Sequence, residues 1–200
     1  MKLFLHICCA PCAVAIVDRL KGDSRLELGG CYFNPNIHPE EENSRRKQPV
    51  EALAAEFSLP VHFNDACQLT YWKSKLAEDK HFRCGYCYAG RMDYAAALAA
   101  QKGYEAFTTS LLISPYQDQG RIVERGRAAA NKYGIAFYYE DFRPLYRKGR
   151  EMARARGWYM QKYCGCYFSY LESDHPKKPV YAFDTEEGVN PASGSSEQTG

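Results

Sequence analysis

Lys2-Leu3-Phe4-Leu5-His6-Ile7-Cys8-Cys9-Ala10-Pro11-Cys12 stands at the head of this 200-residue chain, and its reading decides the fold. Lys2 to Ile7 is a short apolar run interrupted only by His6, which reads as a buried strand. A secretory leader would need a longer apolar core and a small-residue cleavage site, whereas this run leads straight into Cys8 and Cys9. Ala13 to Leu20, apolar at 13, 14, 16, 17 and 20, then reads as the helix that follows the strand.

The same alternation continues outward. Leu26 to Phe33 reads as a second strand, closed by Asn34-Pro35-Asn36. Glu40 to Phe57 is a long helix with Val50, Leu53, Ala54 and Phe57 on its apolar face. Val61 to Phe63 is a short strand, and Met92 to Gln101 an alanine-rich helix stopped by Gly103. Ala106 to Ile113 predicts a buried strand, Ile122 to Tyr133 a helix, Ile135 to Tyr139 a strand, and Gly149 to Tyr170 a mostly helical basic arm. Alternating strands and helices predict an α/β sandwich with a mainly parallel sheet. One domain over residues 1–180 is expected, with a disordered polar tail over 186–200, where little can be buried.

Hydrophobic residues make up 46% of the chain and aromatics 14%, enough for an ordinary globular core. Mean hydropathy is nonetheless negative. No apolar run approaches the ~20 residues of a membrane helix, so no membrane partner is expected and a cytoplasmic protein is. Net charge is only +2, so any affinity for nucleic acid must come from local clustering.

Nine cysteines are many for a chain with no export signal, and an odd count does not suit a disulfide framework. They gather as Cys8-Cys9-x-x-Cys12, Cys84-x-x-Cys87 and Cys164-x-Cys166. In a parallel α/β sheet, sites form beyond the carboxyl ends of strands, and Cys8 and Cys9 stand there. Cys84-Gly85-Tyr86-Cys87 falls just before a helix, whose N-terminus would favour thiolates. Gly165 permits a tight wrap of Cys164 and Cys166 round a metal. Iron–sulfur clusters take up to four thiolates, and three groups offer more. Adjacent Cys8 and Cys9 are expected to point apart and serve two different metals. A structural zinc site, buried free thiols, or a thioredoxin-like dithiol at Cys84 and Cys87 are the competing readings. Cys31 and Cys67 read as packing residues; Cys12 reads either as a ligand or as a residue turned into the first helix.

Between Arg143 and Lys162 seven basic residues face one acid, Glu151, with Trp158, Tyr159 and Tyr163 interleaved. Arg143, Arg147, Arg150 and Arg154 would attract phosphates, while Trp158 and Tyr163 would stack on unpaired RNA bases. The plain alternative is a solvated amphipathic helix.

Together these motifs resemble one family, the cobalamin-independent epoxyqueuosine reductases (QueH type). The matching elements begin with Leu5-His6-Ile7-Cys8-Cys9-Ala10-Pro11-Cys12 and Phe33-Asn34-Pro35-Asn36-Ile37. Arg83-Cys84-x-x-Cys87 and Thr108-Thr109-Ser110-Leu111-Leu112-Ile113-Ser114-Pro115-Tyr116 follow. Asp141-Phe142-Arg143-Pro144 and Gln161-Lys162-Tyr163-Cys164-Gly165-Cys166 complete the set. Lys75 to Phe82 departs from the family's acidic, glycine-containing stretch. The resemblance implies a single three-layer HUP-like domain carrying a [4Fe–4S] cluster and an additional mononuclear iron, held by cysteines and an aspartate. It also implies reduction of the epoxide of epoxyqueuosine to the alkene of queuosine, at the wobble position of tRNA with a queuosine-type anticodon. A ferredoxin- or flavodoxin-like protein is a fitting electron donor.

On this reading Cys8, Cys9, Cys84, Cys87, Cys164 and Cys166 are the expected metal ligands, with Cys12 and His6 behind them. Asp141, expected at the end of the strand from Ile135, is the candidate carboxylate ligand or proton source, against a cap or an arginine partner. Tyr116 is a second catalytic candidate, and Ser110 and Ser114 are expected to line the pocket. Two rivals remain open: a zinc-stabilised RNA-binding module, and a tRNA-thiolating enzyme of the same fold. The latter needs a glycine-rich loop of backbone donors after the first strand, where this chain has Cys-Cys-Ala-Pro-Cys and Pro11 removes a donor.

Overall fold

The computed structural model describes residues 1–65 and 82–173. Five strands, β1 (Lys2–Ile7), β2 (Glu27–Phe33), β3 (Val61–Asn64), β4 (Ala106–Thr109) and β5 (Ala136–Phe137), form one sheet in the order β3-β2-β1-β4-β5. Every pairing is parallel, with His6 opposite Cys31 on one side and Thr109 on the other. The chain winds one way from β1 through β2 to β3, then reverses to β4 and β5. The switch point therefore lies between β1 and β4, and a crevice opens beyond their carboxyl ends. Cys8 and Ser110 are the first residues past those ends or next to them.

Helix α1 (Ala10–Lys21) starts with Pro11 in its first turn, where a missing N–H costs nothing. It is buried from Ala10 to Val17 because α5 (Tyr146–Ala155) covers its outer face. Gly149 makes that packing close: a Cβ there would stand 2.8 Å from the Pro11 carbonyl oxygen. The remaining helices are α2 (Glu40–Glu56), α3 (Arg83–Gln101), α4 (Gln119–Tyr133) and a short α6 (Tyr167–Leu171). No helix among the described residues is long and apolar enough to cross a membrane.

The α/β class and parallel sheet agree with the sequence reading; several boundaries move. β4 ends at Thr109 and Ser110–Ile113 becomes a 3-10 turn, where the Thr109 hydroxyl accepts from the Leu111 N–H at 3.2 Å. α3 begins at Arg83, so Cys84 and Cys87 lie in its first two turns rather than ahead of it. The basic arm is not one helix: Gly157 takes a left-handed φ of 67° after α5, and residues 158–166 are irregular up to α6. Cys67, most of Lys75 to Phe82, and the expected tail over 186–200 lie outside the described residues.

Candidate metal centre

Three sulfurs meet at the end of β1. The Sγ atoms of Cys8, Cys9 and Cys12 all lie within 4.8 Å of one another, and among the described residues no other set is drawn so close. Cys8 is fixed from both ends: its N–H donates to the Ser110 hydroxyl at 2.9 Å, and that hydroxyl donates back to its sulfur at 3.2 Å. Cys9 caps α1 with an extended backbone, and Cys12 follows in the first turn. The adjacent thiols of Cys8 and Cys9 do not point apart, being 3.8 Å from each other. Strand alternation ends with β1 at Ile7, and the turn into α1 brings both onto one side.

The three thiols differ in acidity. Hydrogen bonds from Cys12 and Cys9 hold Cys8 well below the ordinary thiol range, with Ser110 and the Arg91 charge adding to the effect. Burial pushes Cys9 up, and donation to Cys8 with burial does the same to Cys12. One thiolate is thus preferred at Cys8, the form a metal binds.

The other two cysteine groups reach the same crevice. Cys87 is buried, accepts a hydrogen bond from Asn36 Nδ2 at 3.3 Å, and is raised by burial to about 11. Cys164 is lowered to about 7, chiefly by a hydrogen bond from Cys166. Cys166 takes the opposite shift and caps α6, accepting from the Ser169 N–H at 3.5 Å. Cys84 is exposed one turn before Cys87. The loop carrying Cys164 is held by α2: Arg46 donates to the carbonyls of Cys164 at 2.8 Å and Tyr163 at 2.9 Å. Gly165, at φ 116°, makes the wrap, and its carbonyl accepts from the His38 N–H at 2.9 Å.

A cavity of about 750 Å³ opens over these thiols. Cys8, Cys12 and Cys164 lie in its wall together with Arg46, Arg91, Arg150 and Lys162, and no carboxylate belongs to that wall among the described residues. Gln161 reaches in to donate to Cys9 Sγ at 3.1 Å and Cys12 Sγ at 3.6 Å, leaving its buried Oε1 without a partner. Soft sulfur donors, amide N–H groups aimed at them, and surrounding cations suit an anionic thiolate–metal centre.

The family model described as "Epoxyqueuosine reductase QueH" matches residues 3–172. The chain belongs to the QueH family. Curated relatives carry the same description, among them the following three. The one from Thermotoga maritima is 30% identical over 179 residues, covering 85% of this chain and 91% of its own. The one from Dehalococcoides mccartyi is 33% identical over 180 residues, covering 90% and 98%. That from Haemophilus influenzae is 32% identical over 180 residues, covering 86% and 73%. QueH proteins are thereby oxidoreductases by description, and this chain spans nearly the whole length of the first two.

Within this QueH chain the other expected site residues take varied places. His6 is a satisfied core histidine: Nε2–H donates to the Phe33 carbonyl at 3.1 Å and Nδ1 accepts from the Thr109 hydroxyl at 2.8 Å. Burial lowers it to about 4. Cys31 is fully buried in β2. Ser110 serves Cys8, while Ser114 and Tyr116 line the cavity, Tyr116 at its mouth with 82% of its surface exposed. Asp141 does not line the cavity. β5 stops at Phe137, short of it, and both Asp141 oxygens are taken by Arg143 at 2.8 and 2.6 Å.

The basic arm is largely balanced by acids. Arg143 pairs with Asp141, Arg147 with Glu151 at 2.9 Å, Lys148 with Asp18 at 2.7 Å and Arg156 with Glu56. Arg150 lines the cavity, its guanidinium 5.7 Å from the Tyr146 ring, and Arg154 is exposed. Trp158 is half-buried beneath Arg156, and Tyr163, which also lines the cavity, donates to the His38 carbonyl at 2.7 Å. Sequence reasoning missed Glu42, Arg46, Asn36 and Arg91. A signal was present for the first two: positions 42, 46, 50 and 53 share one helical face, and the last two of these are apolar.

Proposed function

We propose that the chain reduces epoxyqueuosine to queuosine in tRNA, using an iron–sulfur centre and a nearby iron held by the cysteines of the three groups. The observation that carries this reading is the cavity wall, which among the described residues holds three thiols, four cationic side chains and no carboxylate. Such a wall favours two anionic occupants at once: a thiolate–metal centre below and a phosphate backbone above. Cys8, Cys9, Cys12, Cys87, Cys164 and Cys166 are the proposed ligands, with Cys84 at the exposed edge.

Removing the epoxide oxygen consumes two electrons and two protons and releases water. The iron centre would supply the electrons and a Lewis-acidic site for that oxygen. The protein's own groups orient the nucleoside and exclude charge of the wrong sign. Arg150 and Lys162 meet the phosphates at the mouth, and Arg46 holds the Cys164 loop in place. Tyr116, exposed at the opening, is the proposed proton source for the departing oxygen. The proposed RNA partner is a tRNA with a queuosine-type anticodon, and the electron donor a ferredoxin- or flavodoxin-like protein.

Anaerobic purification with iron, sulfide and zinc analysis tests the centre, and incubation with epoxyqueuosine-containing tRNA and a strong reductant tests the reaction. A brown protein that yields queuosine is expected. A colourless protein holding zinc alone, with no turnover, would instead favour a metal-stabilised RNA-binding module.

A further inference from the structure

Arg91 stands one turn beyond Cys87 on α3 and is only 2% exposed. Its Nε and a terminal nitrogen both donate to Asn36 Oδ1, at 3.0 and 2.6 Å. Asn36, itself 1% exposed, turns its amide nitrogen to Cys87 Sγ at 3.3 Å. Asn36 therefore joins a buried cation to a buried thiol, and its carbonyl is neutral. The contrast with Arg46 is instructive: that guanidinium is equally buried but is balanced by Glu42 at 2.7 Å. Burying an unbalanced cation is costly, so a buried guanidinium that no carboxylate pairs among the described residues calls for another anion. The groups that act electrostatically on Arg91 in a favourable sense are the sulfurs of Cys87, Cys8 and Cys164, one from each cysteine group. Arg91 also lines the cavity.

We infer that Arg91, aligned by Asn36, is the positioning residue that balances the charge of the metal centre and sets its reduction potential. This inference rests on the proposed iron centre. One-electron reduction adds a negative charge to a centre already made anionic by thiolates. A fixed cation in a dry site stabilises the reduced form more than the oxidised one. The Asn36 N–H pointed at Cys87 sulfur works in the same direction. Both devices make the centre easier to reduce, which matters for a donor that must charge it.

Anaerobic potentiometric titration of the purified, iron-loaded protein, with dithionite as reductant and visible absorbance as readout, tests the inference. Arg91→Met removes the charge while keeping an unbranched stem; Arg91→Lys keeps the charge and loses the fork. Asn36→Asp preserves shape, cancels the cation and withdraws the N–H from sulfur. Arg91→Met and Asn36→Asp are expected to shift the midpoint to more negative potential. The shift should equal at least a tenfold change in the oxidised-to-reduced ratio, or 59 mV for a one-electron couple. Arg91→Lys should stay near wild type. If Arg91→Met fails to fold, Asn36→Asp decides alone. Midpoints unchanged at full iron content, a lysine variant shifted as far as methionine, or iron lost from all three variants would each overturn the inference. A wild-type protein without iron would sink the proposed centre itself.

Discussion

Arg46 donates an N–H to the backbone carbonyl of Cys164 at 2.8 Å, across 118 positions of sequence. The same guanidinium is charge-paired with Glu42, whose second oxygen accepts from the Tyr159 hydroxyl at 2.7 Å. One residue of α2 thus fixes the loop that brings the third cysteine group to the first. Arg46→Met would strand the Glu42 charge in the interior, and breaking a buried pair this way costs about 3–5 kcal/mol. Urea unfolding should show a loss of that size together with reduced iron content. A loss below about 1 kcal/mol with iron retained would mean the loop holds itself.

The tight sulfur group makes a second expectation specific to Cys12. Its sulfur is within 4.8 Å of both Cys8 and Cys9, whereas Cys31 is buried in β2 away from that group. Cys12→Ala should lower the iron bound per chain and bleach the visible spectrum in part, and Cys31→Ala should leave both intact. Cys166→Ala should abolish queuosine formation. Metal analysis of the anaerobically purified variants checks the first two; equal iron in Cys12→Ala and wild type would return Cys12 to a packing role.

The first strand, its cysteine-bearing turn and the parallel sheet were legible because each rests on local patterning: an apolar run, a proline at a helix start, periodic alanines. The three cysteine groups could be joined because sites in such sheets collect at one edge. What escaped was set by distant partners. Lys148 is one of the seven basic residues of the arm, and its partner Asp18 arrives from 130 residues earlier in the chain. Asp141 was placed on a strand that ends four residues before it, because sheet length depends on the pairing with β4. Arg91, between Gly90 and Met92, carried no signal at all, since its meaning lies in Asn36 and the sulfurs across the crevice.

His38 gives a dependence on pH. It is 5% exposed, and burial lowers it to about 4 from 6.5. The folded protein keeps this ring neutral while the unfolded chain takes up a proton below pH 6.5. Its contribution to stability is therefore complete above that pH and is lost as pH falls toward about 4, by roughly 1.4 kcal/mol per pH unit. His6, lowered to about 4 by the same burial, adds its own slope over the same window. Unfolding free energies measured from pH 7 to 4.5 should fall less steeply for His38→Gln than for wild type. Parallel curves would show that His38 gains its proton equally in both states.

Arg150 and Arg143 separate the cavity from the rest of the basic arm as an RNA-docking surface. Arg143 is locked to Asp141 through two hydrogen bonds, so a phosphate would have to displace a carboxylate to reach it. Arg150 faces the cavity beside Tyr146. Each phosphate contact contributes roughly 0.7–0.9 to the slope of log affinity against log salt. Arg150→Ala should flatten that slope by about one such contact and weaken tRNA binding, while Arg143→Ala should change it by less than half as much. Filter binding of tRNA from low to moderate salt measures both. Equal losses in the two variants would mean that the whole arm docks the RNA and that the cavity mouth has no privileged part in it.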